Sequence, residues 1–130
     1  MNDLDNKSLD KTGFAYRDLT GQDVWQAFTP TASITVVGTP TYTGRFRLIG
    51  RSCQFQISLV STTSVATTAG TSYFALPVTA KGIGGIGTMA NDTSNIAVGV
   101  CHIDVATSRV YPPTQSASAN TFTISGQYEI

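Results

Sequence analysis

Residues 42–60 read Y-T-G-R-F-R-L-I-G-R-S-C-Q-F-Q-I-S-L-V, and the alternation in this stretch decides the fold. In its second half Cys53, Phe55, Ile57 and Leu59 fall on one parity, with Ser52, Gln54, Gln56 and Ser58 on the other. A period of two marks a half-buried antiparallel strand. In its first half Tyr42, Phe46 and Leu48 share a parity, opposite Thr43, Arg45 and Arg47. A helix would set Arg45 and Arg47 on different faces, whereas a strand sets them side by side. Gly50, between Ile49 and Arg51, accepts positive φ, so a tight hairpin joins the two strands.

The same pattern continues outward from the hairpin. Residues 33–37 make a short strand that stops at the turn signal Gly38-Thr39-Pro40. Residues 61–71 read as a Ser/Thr/Ala/Gly loop, or as a weak strand pair around Val65. Residues 72–78 set Phe74, Leu76 and Val78 on one parity, and Pro77, lacking a donor, places that strand at an edge or a bulge. Residues 81–95 are Gly-rich without a regular period and read as a loop. Residues 96–105 form a strand with Ala97, Gly99, Cys101, Ile103 and Val105 facing inward. Its outward face changes from Ile96, Val98 and Val100 to His102 and Asp104, so one end expects cover on both sides. Tyr111-Pro112-Pro113 breaks the chain. Residues 121–130 then alternate cleanly, with Phe122, Ile124, Tyr128 and Ile130 against Thr123, Ser125, Gln127 and Glu129. Strands with turn signals between them predict an all-β fold, an antiparallel β-sandwich of about seven to nine strands with jelly-roll-like packing.

Residues 1–24 differ from the rest. Asp3, Asp5, Asp10, Asp18 and Asp23, five of the eight acids, lie there, and Leu4, Leu9, Phe14 and Leu19 follow neither the helical nor the strand period. This segment reads as a short non-sandwich leader from a preceding stem, extended or partly helical, with one helical turn at residues 8–12. The sandwich domain is expected over residues 25–130, about the size of one domain.

Charged residues are only 12% of the chain and their formal charges cancel. No field is left to draw in nucleic acid or an anionic membrane. No apolar run approaches the length of a membrane span, and Met1-Asn2-Asp3-Leu4 does not open a signal peptide. Cys53 and Cys101 are too few for a disulfide framework or a metal cluster, and both lie on apolar parities, so they read as buried free thiols.

The order of several segments resembles a known family. W-x-x-F-T-P at 25–30 is followed by the hairpin, then A-L-P-V-T-A at 75–80 and F-T-I-S-G-Q-Y-E-I at 122–130. This is similar to the C-terminal β-sandwich domain of bacteriophage tail fibres and tailspikes, over residues 25–130. The resemblance implies a virion protein of the phage tail, assembled in the bacterial cytoplasm as a homotrimer below upstream tail-fibre domains. It implies contact with a host surface polysaccharide or lipopolysaccharide, without catalysis, cofactor or metal, and without membrane insertion or nucleic acid. A reducing cytosol would keep both cysteines as thiols. A glycan-degrading depolymerase or esterase, and a purely structural trimerisation cap, are the alternatives. The two-sided apolar stretches at 96–100 and 82–89 give the trimer a physical motive.

Candidate chemistry is sparse. Residues 82–87 spell G-x-G-x-x-G, but a dinucleotide site needs a helix directly after the glycines, and Thr88 to Asn95 are turn-like. His102 and Asp104, two apart on an outward face, would need an exposed, strained nucleophile to form a triad, and no G-x-S-x-G elbow exists. After Trp25 the carboxylates are Asp92, Asp104 and Glu129, scattered over a loop and two strands, a poor inventory for a glycosidase pair. For ligand binding, Arg109 and Tyr111 are the leading pair, a charge and a ring suited to a sugar with an acidic group. Tyr73 is a further stacking ring. Arg45 and Arg47 read either as a ligand for acidic sugar or phosphate or as a solvated or interfacial face. Asn91, Asp92 and Asn95 offer short hydrogen-bonding side chains. The loops 81–95 and 107–120 flank one strand and are expected to open at opposite ends of the domain.

Overall fold

The computed structural model describes residues 24–36 and 38–130, and the leader with its helical turn at 8–12 lies outside them. The described residues hold ten strands and no helix. In chain order they are β1 (Gln26–Phe28), β2 (Ala32–Ser33), β3 (Thr35–Val36), β4 (Pro40–Ile49) and β5 (Ser52–Thr67). β6 (Tyr73–Ala75), β7 (Ile86–Asn91), β8 (Ile96–Asp104), β9 (Arg109–Tyr111) and β10 (Gln115–Glu129) follow. Every pair is antiparallel. The strands run β1-β4-β5-β10-β7-β8-β9-β6-β2 across one sheet, with β3 also paired to β5.

The central hairpin forms as its alternation predicts. Ile49 pairs with Ser52 across Gly50 and Arg51, and Gly50 has φ +59° with open space around it. Positive φ at the first of two turn residues suits the right-handed twist of the paired strands. Cys53, Phe55, Ile57 and Leu59 are buried, while Tyr42, Phe46 and Leu48 pack against them. Gly44 seats the ring of Phe28, because a Cβ there would lie 2.5 Å from it. Phe28 in turn meets Phe46 edge-to-face at 5.8 Å, fixing β1 on β4.

Several expected loops are strands. Of the two readings of residues 61–71, the strand around Val65 holds for 61–67, where β5 continues to Thr67 and Val65 pairs with Val36 and Ala119. Residues 86–91 of the Gly-rich segment form β7, between β10 and β8. Glycines here allow close backbone approach: a Cβ on Gly85, just before β7, would stand 2.0 Å from the Gln127 carbonyl oxygen. Residues 109–111 form β9, and β10 already begins at Gln115, so little of 107–120 is loop. In the other direction, β6 ends at Ala75, which leaves Pro77 outside it, and Ile34 divides the strand expected at 33–37 into β2 and β3.

The inward set of β8 also needs correcting. Met89 pairs with Gly99 but Ala90 pairs with Ala97, so Val98 is an extra residue. Such a bulge shifts side chains to the other face. Val98 therefore packs on the core and Ala97 is exposed, while Cys101 and Ile103 remain inside.

All ten strands belong to one hydrogen-bonded sheet that curls over its own core, and its hydrogen bonding marks no division into two stacked sheets. The curl follows from connectivity. β1 and β2 end the path eight spacings apart, roughly 38 Å in a flat sheet. Yet only Thr29, Pro30 and Thr31 join them, and that link reaches about 14 Å. The sheet must fold back. Tyr42 of β4 consequently meets Phe74 of β6 at 6.2 Å across the interior. Phe55, Phe74, Phe122, Ile57 and Ile124 fill it, each contributing about 1.5–3 kcal/mol by burial.

Candidate functional site

The outer face of β6, β9 and β8 carries the densest group of rings and charges. Val110 is fully buried, so its neighbours Arg109 and Tyr111 point outward. Antiparallel register sets Tyr111 opposite His102 and Arg109 opposite Asp104. On the other side Phe74 pairs with Val110, which brings Tyr73 beside Tyr111. The ring centroids of Tyr73 and Tyr111 are 6.0 Å apart, and those of Tyr111 and His102 6.4 Å. Three rings thus make a row across three strands.

Arg109 lies flat on Tyr73, its guanidinium carbon 3.8 Å from the ring centroid. Hydrogen bonding to Tyr111 is the main cause that raises its pKa, opposed by slight burial and helped by the nearby Tyr73 and Asp104. One side of its guanidinium meets the Tyr73 ring, and Asp104 stands across from it in the strand register. Arg109 therefore holds the two tyrosine rings in place. Asp104 is itself anchored: its carboxylate accepts from the Thr107 hydroxyl at 2.6 Å and from the Ala106 N–H at 3.2 Å. The Thr107 bond chiefly lowers its pKa, against a smaller effect of burial, with Ala106, His102 and Arg109 adding to the lowering.

Beside the row lies a cleft of about 460 Å³ bordered by Val100, His102, Asp104, Tyr111, Pro113 and Thr114. Its far wall, residues 68–72, is a turn closed by Ser72 N–H to the Thr68 carbonyl at 2.9 Å. Ala69 N–H donates to the Thr114 hydroxyl at 3.0 Å, and the Thr67 hydroxyl to the Pro113 carbonyl at 2.6 Å. The cleft is apolar with a few fixed polar groups, the usual make-up of a small-ligand site.

The remaining candidates separate into two groups. Asn91, Asp92 and Asn95 build the turn between β7 and β8. Asn91 is buried, and its Oδ1 accepts from the N–H groups of Thr93 at 3.0 Å and Ser94 at 3.2 Å. Asp92 accepts from the Thr123 hydroxyl at 2.5 Å, and Asn95 takes φ +59°. Short side chains that bond their own backbone form such turns. This turn and the one after β8 lie at opposite ends of that strand, as expected. Arg45 and Arg47 lie elsewhere on the sheet, on β4, both stacked on Trp25 at 4.4 and 4.8 Å. Arg109 does not join them.

From sequence, Arg109, Tyr111 and Tyr73 are ligand candidates, the first two within a loop. They stand on rigid strands. His102, Asp104 and Thr114 were not assigned to binding, and Trp25 was not assigned to a site. The outward parity of His102 and Asp104 is legible in the sequence, but the cross-strand partners of these residues are not. His102 meets the Tyr111 ring at a tilt of 41°, while Asp104 bonds the following turn. Among the described residues no three His, Cys, Asp or Glu side chains gather as a metal site.

Comparison with known proteins finds no matching family model, curated sequence or solved structure.

Proposed function

We propose that this chain is a non-catalytic module at the end of a phage tail fibre or tailspike, which assembles as a homotrimer and contacts a host surface glycan. The observation that carries the glycan reading is the row Tyr73–Tyr111–His102 beside the cleft. Ring faces on rigid strands offer flat apolar area to the C–H face of a sugar, while Asp104 and Thr114 supply polar atoms at the rim. The family resemblance supports the phage context. Ile83, almost wholly exposed on its turn, and Ile96, 58% exposed, support subunit contact, because solvated isoleucines are costly unless covered. Met89, by contrast, is buried in its own core.

The test is binding of the full chain to host cells and to a glycan array, with Tyr111→Ala as the variant. Loss of at least tenfold in binding, with the assembly unchanged in mass, is the expected outcome. Unchanged glycan binding by Tyr111→Ala refutes this placement of the site. Release of oligosaccharide from host capsule or lipopolysaccharide would establish an enzyme instead, and failure to bind any glycan would favour a structural cap.

A further inference from the structure

We infer that the outer face at Trp25, Arg45 and Arg47 is a second subsite, which holds the anionic group of an acidic polysaccharide. This rests on the glycan reading above and names the ligand class. On β4 the two guanidiniums stand side by side, and each donates Nε–H to a glutamine on β5: Arg45 to Gln56 and Arg47 to Gln54, both at 2.8 Å. Both also stack on Trp25. Each guanidinium carries five N–H donors, and the glutamine bond uses only one of them. Among the described residues no carboxylate meets either group, because Asp92 bonds Thr123 of β10, Asp104 bonds Thr107 in the turn after β8, and Glu129 lies beside Gly82. Two oriented guanidiniums, unopposed among the described residues, suit an anion with two or more oxygens.

The surroundings point to a polymer with hydroxyl groups. Register continues the rows across the sheet: Arg47–Gln54–Gln127 and Arg45–Gln56–Ser125, all on one face. Trp25, Arg47, Gln54, Gln56, Ser125 and Gln127 border a depression of about 460 Å³. Amides and hydroxyls there donate and accept, as sugar hydroxyls require. The first row runs on through Ile86 and His102 to Tyr111, five strand spacings or roughly 24 Å along the sheet from Arg47. One extended glycan lying across the strands therefore reaches both subsites. Nucleic acid fits less well, since backbone binding draws on several phosphate contacts and this chain carries no net charge.

Trp25 is the only tryptophan, so its fluorescence reports on this subsite alone. The full chain is titrated with polygalacturonate, phosphomannan, neutral dextran and a mixed-sequence single-stranded DNA. Polygalacturonate or phosphomannan, according to whether carboxylate or phosphate is preferred, is expected to shift the emission, and dextran to leave it unchanged. Arg45→Gln/Arg47→Gln, with its thermal unfolding checked, is expected to weaken that binding at least tenfold. If the double variant binds as tightly as the native chain while Tyr111→Ala does not, this inference fails and the cleft alone recognises glycan. Tighter binding of DNA than of either acidic glycan also overturns it. If no glycan binds the native chain, both readings fall.

Discussion

Tyr128 shows how one buried polar atom ties the interior to a loop. Its ring is 2% exposed and packs on Phe55 at 5.9 Å. Its hydroxyl donates to the Val78 carbonyl at 2.7 Å and accepts from the Val78 N–H at 3.1 Å, closing residues 76–80 over the core. Burial raises the phenol's pKa, as does the neighbouring Cys53, so the group stays neutral and able to donate. Tyr128→Phe leaves both backbone groups of Val78 without that partner, and the loss of a buried bonding group costs about 1–3 kcal/mol. Urea denaturation is expected to show a lower midpoint with an unchanged slope, and an unchanged midpoint would deny the hydroxyl this role. The cysteines are simpler. Both are buried and free, and burial pushes the Cys101 thiol up to about 12, which keeps it protonated and unreactive at neutral pH.

Among elements, the pairing of β7 with β10 depends on glycine in a way the central hairpin does not. Gly126 faces Gly87 and Phe55, and a Cβ on it would lie 2.6 Å from the Ile86 carbonyl oxygen and 2.8 Å from the Gly87 Cα. Backbone atoms held in a ladder cannot step aside, so β7 itself has to shift. Gly50 has nothing within 4 Å, and its substitution costs only the strain of φ +59°. Gly126→Ala is accordingly expected to lose about 1–3 kcal/mol, and Gly50→Ala about 1 kcal/mol. Denaturation of the two variants side by side checks this, and a Gly50→Ala protein less stable than Gly126→Ala would contradict it. The strain matters for recognition as well, because a shifted β7 would move Ile86, a member of the row that links Arg47 to Tyr111.

For the whole molecule, the proposed assembly is open to a direct measurement. Light scattering at micromolar concentration is expected to give three times the 13.7 kDa chain mass. A stable monomer would remove the trimer. Ile83→Asp is expected to shift the mass toward monomer without unfolding the chain, since that side chain is 99% exposed and contributes nothing to its own core.

Local pattern by itself determined the strand class, the hairpin at 42–60, the buried parity of Cys53 through Leu59, and the outward pairing of Arg45 with Arg47. These follow from a period of two, which each strand carries in its own residues. It also singled out Arg109, Tyr111 and Tyr73 as chemistry without a place. What only the tertiary structure decided is adjacency. That β9 lies between β8 and β6, so that Tyr111 meets both His102 and Tyr73, is set by strand order, and no strand encodes its neighbour. β7 was hidden because the glycines at and just before its start, Gly85 and Gly87, serve close approach to β10 rather than any pattern of their own. The bulge at Val98 was hidden for a similar reason, since an extra residue is visible only against a partner strand. Trp25 joined Arg45 and Arg47 only once β1 had paired with β4, across a separation in sequence that periodicity cannot bridge.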